Sequence, residues 1–163
     1  MIKVKNPSEK KLKKLLTKDP LNQSSILHYT GSMWGIGARL SAFATIERIN
    51  RLKQRSKAGM IALIPDISWF SRLNIAVPER LYSLMQQYFP GNLSFAFDVK
   101  DPRFDHIAVN GKVAFRVPSD PMLRHFIELL DEPMISTSVN FSNLPAENNL
   151  ESSRWWKSSV HPK

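Results

Sequence analysis

His106-Ile107-Ala108-Val109-Asn110-Gly111-Lys112-Val113-Ala114-Phe115-Arg116-Val117-Pro118-Ser119-Asp120-Pro121 is the stretch that decides the fold class. An Asn-Gly pair between two apolar runs is the strongest hairpin signal in the sequence, since both residues tolerate the backbone of a tight two-residue turn. It predicts strands over His106–Val109 and Lys112–Val117. Asp120 then caps a helix with Pro121 at its first position, and Met122, Leu123, Phe126, Ile127 and Leu130 recur at helical spacing on its inner side. Met134–Thr137 reads as a further apolar strand, leading into Ser138-Val139-Asn140-Phe141-Ser142.

Working back from there, Leu93–Val99 alternates as a strand. Pro78 opens a long helix with Leu81, Leu84, Met85 and Tyr88 facing inward, ended by Pro90-Gly91. Met60–Ile64 reads as a buried strand stopped by Pro65-Asp66. Ser41 is placed to cap a helix whose buried face is Phe43, Ile46, Ile49 and Leu52. Ile26–Tyr29 is a strand entering the glycine-punctuated segment Thr30-Gly31-Ser32-Met33-Trp34-Gly35-Ile36-Gly37. Strands and helices mix without strict alternation around an internal hairpin. The expected fold is therefore α/β of the α+β type, a mixed sheet flanked by helices rather than a purely parallel one. The expected organisation is a basic N-terminal helical extension over 1–20, one domain over 21–145 and a polar tail over 146–163.

The chain has 163 residues, 42% hydrophobic and 23% charged, which suits one globular domain. It has no cysteine, so disulfide scaffolds, thiol nucleophiles and thiolate metal sites are excluded. No apolar run approaches the roughly 18 residues of a membrane span, and the lysine-rich start has no apolar signal core, so the expectation is a cytoplasmic protein with no membrane partner. The net charge of +9 is uneven: residues 1–57 hold 13 Lys and Arg against 3 Asp and Glu, and the remainder is nearly balanced. This asymmetry points to a polyanionic partner near the first third of the chain. One contributor is Lys10, Lys11, Lys13 and Lys14 on a short amphipathic helix after Asn6-Pro7-Ser8, with Leu12, Leu15 and Leu16 as its apolar stripe. Its readings are a solvated helix docked by its leucines, or a surface for tRNA or double-stranded RNA. The other contributor runs from Arg39 to Lys57, with Lys53 and Arg55 at a helix C-terminal end, where the dipole favours cations.

No phosphate-binding Gly-x-x-x-x-Gly-Lys-Ser/Thr loop, dinucleotide Gly-x-Gly-x-x-Gly or Gly-x-Ser-x-Gly elbow is present, and His28, His106, His125 and His161 lack metal-ligand spacing. What remains is a set of hydroxyls and cations at strand and helix ends: Thr30 and Ser32, Lys53 and Arg55 with Lys57 close by, Arg116, Ser138 and Asn140. On one concave face these would suit an anionic ligand, and a nucleotide fits.

Lys53-Gln54-Arg55, Val113 to Pro121 and Ser136-Thr137-Ser138-Val139-Asn140-Phe141-Ser142 resemble, in this order, the Lys-x-Arg, Val-Arg-Val-Pro and Ser-x-Asn motifs of the YrdC/YciO family. Tyr29 to Gly37 and Phe89-Pro90-Gly91-Asn92-Leu93 are similar to two further segments of it. The resemblance spans roughly residues 24–145 and implies an open, twisted mixed sheet with a concave basic cavity. It also implies threonylcarbamoyl-AMP synthase activity, a nucleotidyl transfer. L-threonine, bicarbonate and ATP, with Mg²⁺, become threonylcarbamoyl-adenylate and pyrophosphate, and a tRNA-modification partner complex uses the product. By likeness Lys53 and Arg55 face the ATP phosphates and Asn140 the nucleotide, with Thr30, Arg116 and Ser138 around the threonine; Ser32 and Lys57 are additional candidates. The sequence departs from the family at Gly31, where the family has Glu or Asp, and at Leu63, where many members have histidine. It also stops before the family's later strands. The alternative expectation is a catalytically impaired relative that binds double-stranded RNA, tRNA or a nucleotide.

Overall fold

The computed structural model describes residues 8–17, 24–53 and 59–140. Six strands, β1 (Ile26–Tyr29), β2 (Trp34–Arg39), β3 (Ile61–Leu63), β4 (Phe95–Asp98), β5 (Lys112–Arg116) and β6 (Met134–Ser138), form one sheet in the order β1-β2-β6-β3-β5-β4. Only β3 and β5 run parallel; every other neighbouring pair is antiparallel, so the sheet is mixed, as the sequence predicts. Five helices accompany it: α1 (Glu9–Thr17), α2 (Phe43–Leu52), α3 (Trp69–Arg72), α4 (Glu79–Tyr88) and α5 (Pro121–Leu130). Among the described residues no helix is long and apolar enough to cross a membrane.

Residues paired across strands share a face, and the register divides the sheet sharply. One face carries Leu27, Ile36, Ala62, Phe97, Phe115 and Ile135, packed with Ile46 and Ile49 of α2, Phe70 of α3 and Met85 of α4 in the main core. The opposite face holds the cross-strand rows His28–Gly35–Ser138, Gly37–Ser136–Ile61–Ala114 and Met134–Leu63–Arg116. Its Leu63 and Met134 lie under Leu123, Phe126, Ile127 and Leu130 of α5, with Leu12 of α1 added to the cluster. A nine-residue helix is marginal alone in water. Burial of Leu12 to 3% exposure, worth about 2 kcal/mol, is what seats α1 on α5.

The β5–α5 junction follows its sequence closely. Asp120 accepts a hydrogen bond from the Leu123 N–H at 2.7 Å, and Pro121 occupies the first turn, where a missing N–H costs nothing. Several expectations are corrected. Asn110 and Gly111 do turn the chain with left-handed φ (52° and 73°), but His106–Val109 forms no strand beyond a bridge at Val109. The partner of β5 is β4, with the helical turn Pro102–Phe104 in the connection. Ser41 does not cap α2: its N–H and hydroxyl both donate to the Glu132 carboxylate, at 2.8 and 2.9 Å, and the helix starts after Ala42 without a side-chain cap. Phe43, Leu52, Leu84, Tyr88 and Met122 are exposed rather than inward, because the sheet covers a narrower stripe of each helix than its apolar residues span. β2 and the short α3 stand where the sequence pattern indicated no element.

Candidate functional site

The polar face of the sheet brings together most of the hydroxyls and cations singled out in the sequence. Arg116, the last residue of β5, is 5% exposed. Its Nε donates to the Gly91 carbonyl (2.7 Å), and its Nη2 donates to Asn92 Oδ1 (2.6 Å) and Ser32 Oγ (3.0 Å). Gly91 follows the cis Phe89–Pro90 bond at the end of α4 and is tied to β5 by its N–H to the Val117 carbonyl (2.9 Å). Among the described residues no carboxylate comes within ion-pair distance of Arg116, and burial lowers its pKa from the ordinary arginine value. Arginine stays charged in proteins. The result is a buried cation surrounded by neutral oxygens, a setting that favours an anion with two oxygens.

Ser32 belongs to the turn between β1 and β2, as does Thr30. Thr30 Oγ1 lies 3.3 Å from Ser32 Oγ and donates to the Met33 carbonyl at 3.1 Å. The Thr30 carbonyl accepts from the N–H groups of Ser119 (3.1 Å) and Asp120 (3.3 Å), which clamps the turn against the start of α5. Gly31 has φ +98°, and a side-chain carbon there would sit 1.9 Å from Ser119 Oγ. The clamp therefore excludes the acidic residue expected from family likeness at this position.

Lys53, the residue after α2, is 2% exposed. Rather than remaining at the helix end as a dipole complement, its ammonium crosses to the exit of β6 and donates to Ser138 O (2.6 Å), Asn140 O (2.7 Å) and Asn140 Oδ1 (2.5 Å). Ser138 Oγ donates to the same Asn140 oxygen at 2.7 Å. The strand exit that holds Lys53 is tied by backbone bonds to the β1–β2 hairpin, whose turn carries Ser32: Ser138 pairs with Gly35, and the Val139 N–H donates to the Trp34 carbonyl at 3.0 Å.

His28 is the residue that sequence reasoning passed over as structural. It is 6% exposed and on the same face; its Nδ1 lies 3.2 Å from Ile26 O and its Nε2 2.9 Å from Ser136 Oγ. Burial and, more weakly, the positive charge of Arg116 push its pKa from the ordinary 6.5 down to about 4, against the opposing effect of the Ile26 hydrogen bond, so it is neutral at physiological pH. Its place two residues before Thr30, at the end of a predicted strand, is the signal that could have found it. For Gly91 and Asn92 as partners of Arg116 the sequence carried no signal.

Arg55 and Lys57 lie outside the described residues. Lys10, Lys13 and Lys14 are exposed on α1, with Lys13 paired to Glu9 at 2.7 Å; of Lys11 only the helical backbone is described. Among the described residues no group of three His, Cys, Asp or Glu could hold a metal ion.

The Sua5/YciO/YrdC family model, described as Telomere recombination, matches residues 21–154. The chain belongs to this family. Threonylcarbamoyl-AMP synthase of Bacillus subtilis (strain 168) is 28% identical over 125 residues, 75% of this chain and 36% of that protein. The uncharacterized protein YciO of Escherichia coli (strain K12) is 31% identical over 117 residues, 70% of this chain and 56% of that protein. The chain thus spans about a third to a little over half of these two relatives. Among solved structures, P. abyssi Sua5 complexed with L-threonine superimposes with a TM-score of 0.75 at 22% identity, covering 90% of this chain and 44% of that one. E. coli YciO gives 0.76 at 24% identity, covering 90% and 72%. These two likenesses establish the fold: an open mixed sheet with helices, shared with Sua5 and YciO.

Proposed function

We propose that this chain forms threonylcarbamoyl-adenylate from L-threonine, bicarbonate and ATP, for use by a tRNA-modification complex. The observation that carries the reading is Arg116, a buried guanidinium with neutral hydrogen-bond partners and no carboxylate counter-ion among the described residues. Its fork suits the two oxygens of an amino-acid carboxylate. Ser32, and Thr30 beside it, supply hydroxyls at that position; Ser138 is assigned to the same ligand by family likeness, and the Sua5 relative with L-threonine bound supports the ligand class. Lys53 and Asn140, with Arg55, are assigned to the nucleotide.

No covalent nucleophile is required. The threonine amine attacks the carbon of bicarbonate and expels water, giving a carbamate. A carbamate oxygen then attacks the α-phosphorus of ATP, and the bond to the β-phosphate oxygen breaks, releasing pyrophosphate. The residues hold the reactants in line and place cations by the departing phosphates. Mg²⁺, when bound with the nucleotide, would supply further charge neutralisation. The test is pyrophosphate release from ATP that requires both threonine and bicarbonate. Release that needs neither, or none at micromolar protein, overturns the proposal.

A second reading is favoured by the charge asymmetry and the exposed lysines of α1: binding of tRNA or double-stranded RNA through Lys10, Lys11, Lys13 and Lys14. It requires affinity that falls steeply with salt and is lost when these lysines become glutamate. Salt-independent binding, or binding unchanged in that variant, removes it.

A further inference from the structure

Of the five N–H groups of Arg116, three are committed to the protein: the one on Nε to the Gly91 carbonyl, and the two on Nη2 to Asn92 Oδ1 and Ser32 Oγ. The two on Nη1 meet no partner among the described residues. Every acceptor in this set is neutral. The guanidinium is therefore held in one orientation without being neutralised, because a hydrogen bond fixes direction and only a counter-ion removes the charge.

Asn92 is the acceptor on which that distinction turns. Its neighbour Gly91 is fastened to β5 and the residue after it, donating its N–H to the Val117 carbonyl at 2.9 Å and accepting from Arg116 Nε at 2.7 Å. A side-chain carbon at position 91 would lie 2.4 Å from the Tyr88 carbonyl, so the close approach needs glycine. Asn92, next in the chain, is thereby delivered to the guanidinium, with Oδ1 2.6 Å from Nη2, while the residue itself stays exposed. Only the amide oxygen can accept from a guanidinium, so the orientation of the amide is settled as well. An aspartate has the same shape and could make the same bond, but its charge would cancel that of Arg116. Amide or carboxylate at this one position decides whether the buried cation still lacks an anion.

We propose that Asn92 is a positioning residue of the anion site and that its neutrality is what the role requires: it orients the Arg116 guanidinium and leaves its charge for the carboxylate of the substrate. The inference rests on the amino-acid reading of Arg116 and adds to it what keeps that cation uncompensated until the substrate binds.

The experiment is calorimetric titration of the full chain with L-threonine and with L-threoninamide, which lacks the carboxylate, for wild type, Asn92→Asp and Asn92→Ala, alongside urea unfolding of each. Wild type is expected to prefer threonine by at least about tenfold, and Asn92→Asp to bring the ratio within about threefold. The unfolding midpoint of Asn92→Asp should stay at or above that of wild type, because the new carboxylate pairs with the guanidinium. Asn92→Ala keeps the charge but loses the orienting oxygen; its threonine affinity should fall about three- to tenfold with the preference over threoninamide retained. An unchanged ratio in Asn92→Asp, or wild-type threonine affinity in Asn92→Ala, overturns the inference while leaving the reading of Arg116 intact. A ratio that falls only together with the unfolding midpoint marks a merely structural role and also overturns it. Equal binding of the two ligands by wild type, or binding of neither, defeats the reading of Arg116 and the inference with it.

Discussion

Acidification offers a direct probe of the buried imidazole. His28 is neutral in the folded protein, desolvated and near a guanidinium, with its pKa lowered to about 4; in the unfolded chain it returns to the ordinary 6.5. Between these values the unfolded state binds a proton that the folded state does not, so stability rises with pH across the window and is lost as pH falls through it. The limiting slope is about 1.4 kcal/mol per pH unit, and the gap between the two pKa values sets a ceiling of about 3 kcal/mol, reached below about pH 4. Between about pH 7 and pH 5 the same arithmetic gives a loss of about 2 kcal/mol, a large part of the 5–15 kcal/mol typical of a domain. The assay is urea unfolding over that range for wild type and His28→Gln. Carboxylates such as Asp101, whose pKa is lowered by its hydrogen bond with Arg103, contribute to both proteins and cancel in the difference. The variant should lose about 2 kcal/mol less than wild type on acidification. Parallel pH slopes would show that His28 gains a proton in the folded state as readily as in the unfolded one, and the burial argument would be wrong.

Three further perturbations test the neighbouring groups. Arg116→Gln removes the charge while retaining hydrogen-bonding capacity; threonine affinity should fall about a hundredfold with little change for ATP, read by calorimetry, and unchanged threonine binding would place the carboxylate elsewhere. Lys53→Met leaves the oxygens of Ser138 and Asn140 without their ammonium and should cost about 2–4 kcal/mol by chemical denaturation, together with nucleotide binding; a stability loss below about 1 kcal/mol would mean these bonds matter little. Gly35→Ala should destabilise by about 2 kcal/mol through the clash with His28 Nε2, and a His28→Ala background should recover at least about half of that in a double-mutant cycle; strict additivity would deny the contact.

What could be read directly was what neighbouring residues settle among themselves. The α5 start is written in Asp120 and Pro121, because a cap and its N–H lie three residues apart. The Ile26–Tyr29 run ahead of the glycine-punctuated segment marks β1, and the order of the Lys-x-Arg, Arg-Val-Pro and Ser-x-Asn motifs carries the family. β2 stayed hidden because Gly35 and Gly37 read locally as a turn; their reason is the His28 ring from the next strand and the Ile135 carbonyl of β6. The Asn110-Gly111 turn was legible, but its strand partner was not: β5 takes β4 across an intervening helical turn, since pairing depends on which apolar face the core can bury rather than on proximity in sequence. The candidate site divides in the same way. Its cations and hydroxyls were recognisable as residue types, whereas Gly91, Asn92, His28 and Ser136 join it only through contacts that close once the sheet has formed. Tertiary structure alone decided that Lys53 turns inward to β6 and that Arg116 is buried without a carboxylate, because a charged side chain takes its partners from whichever strands fold beside it.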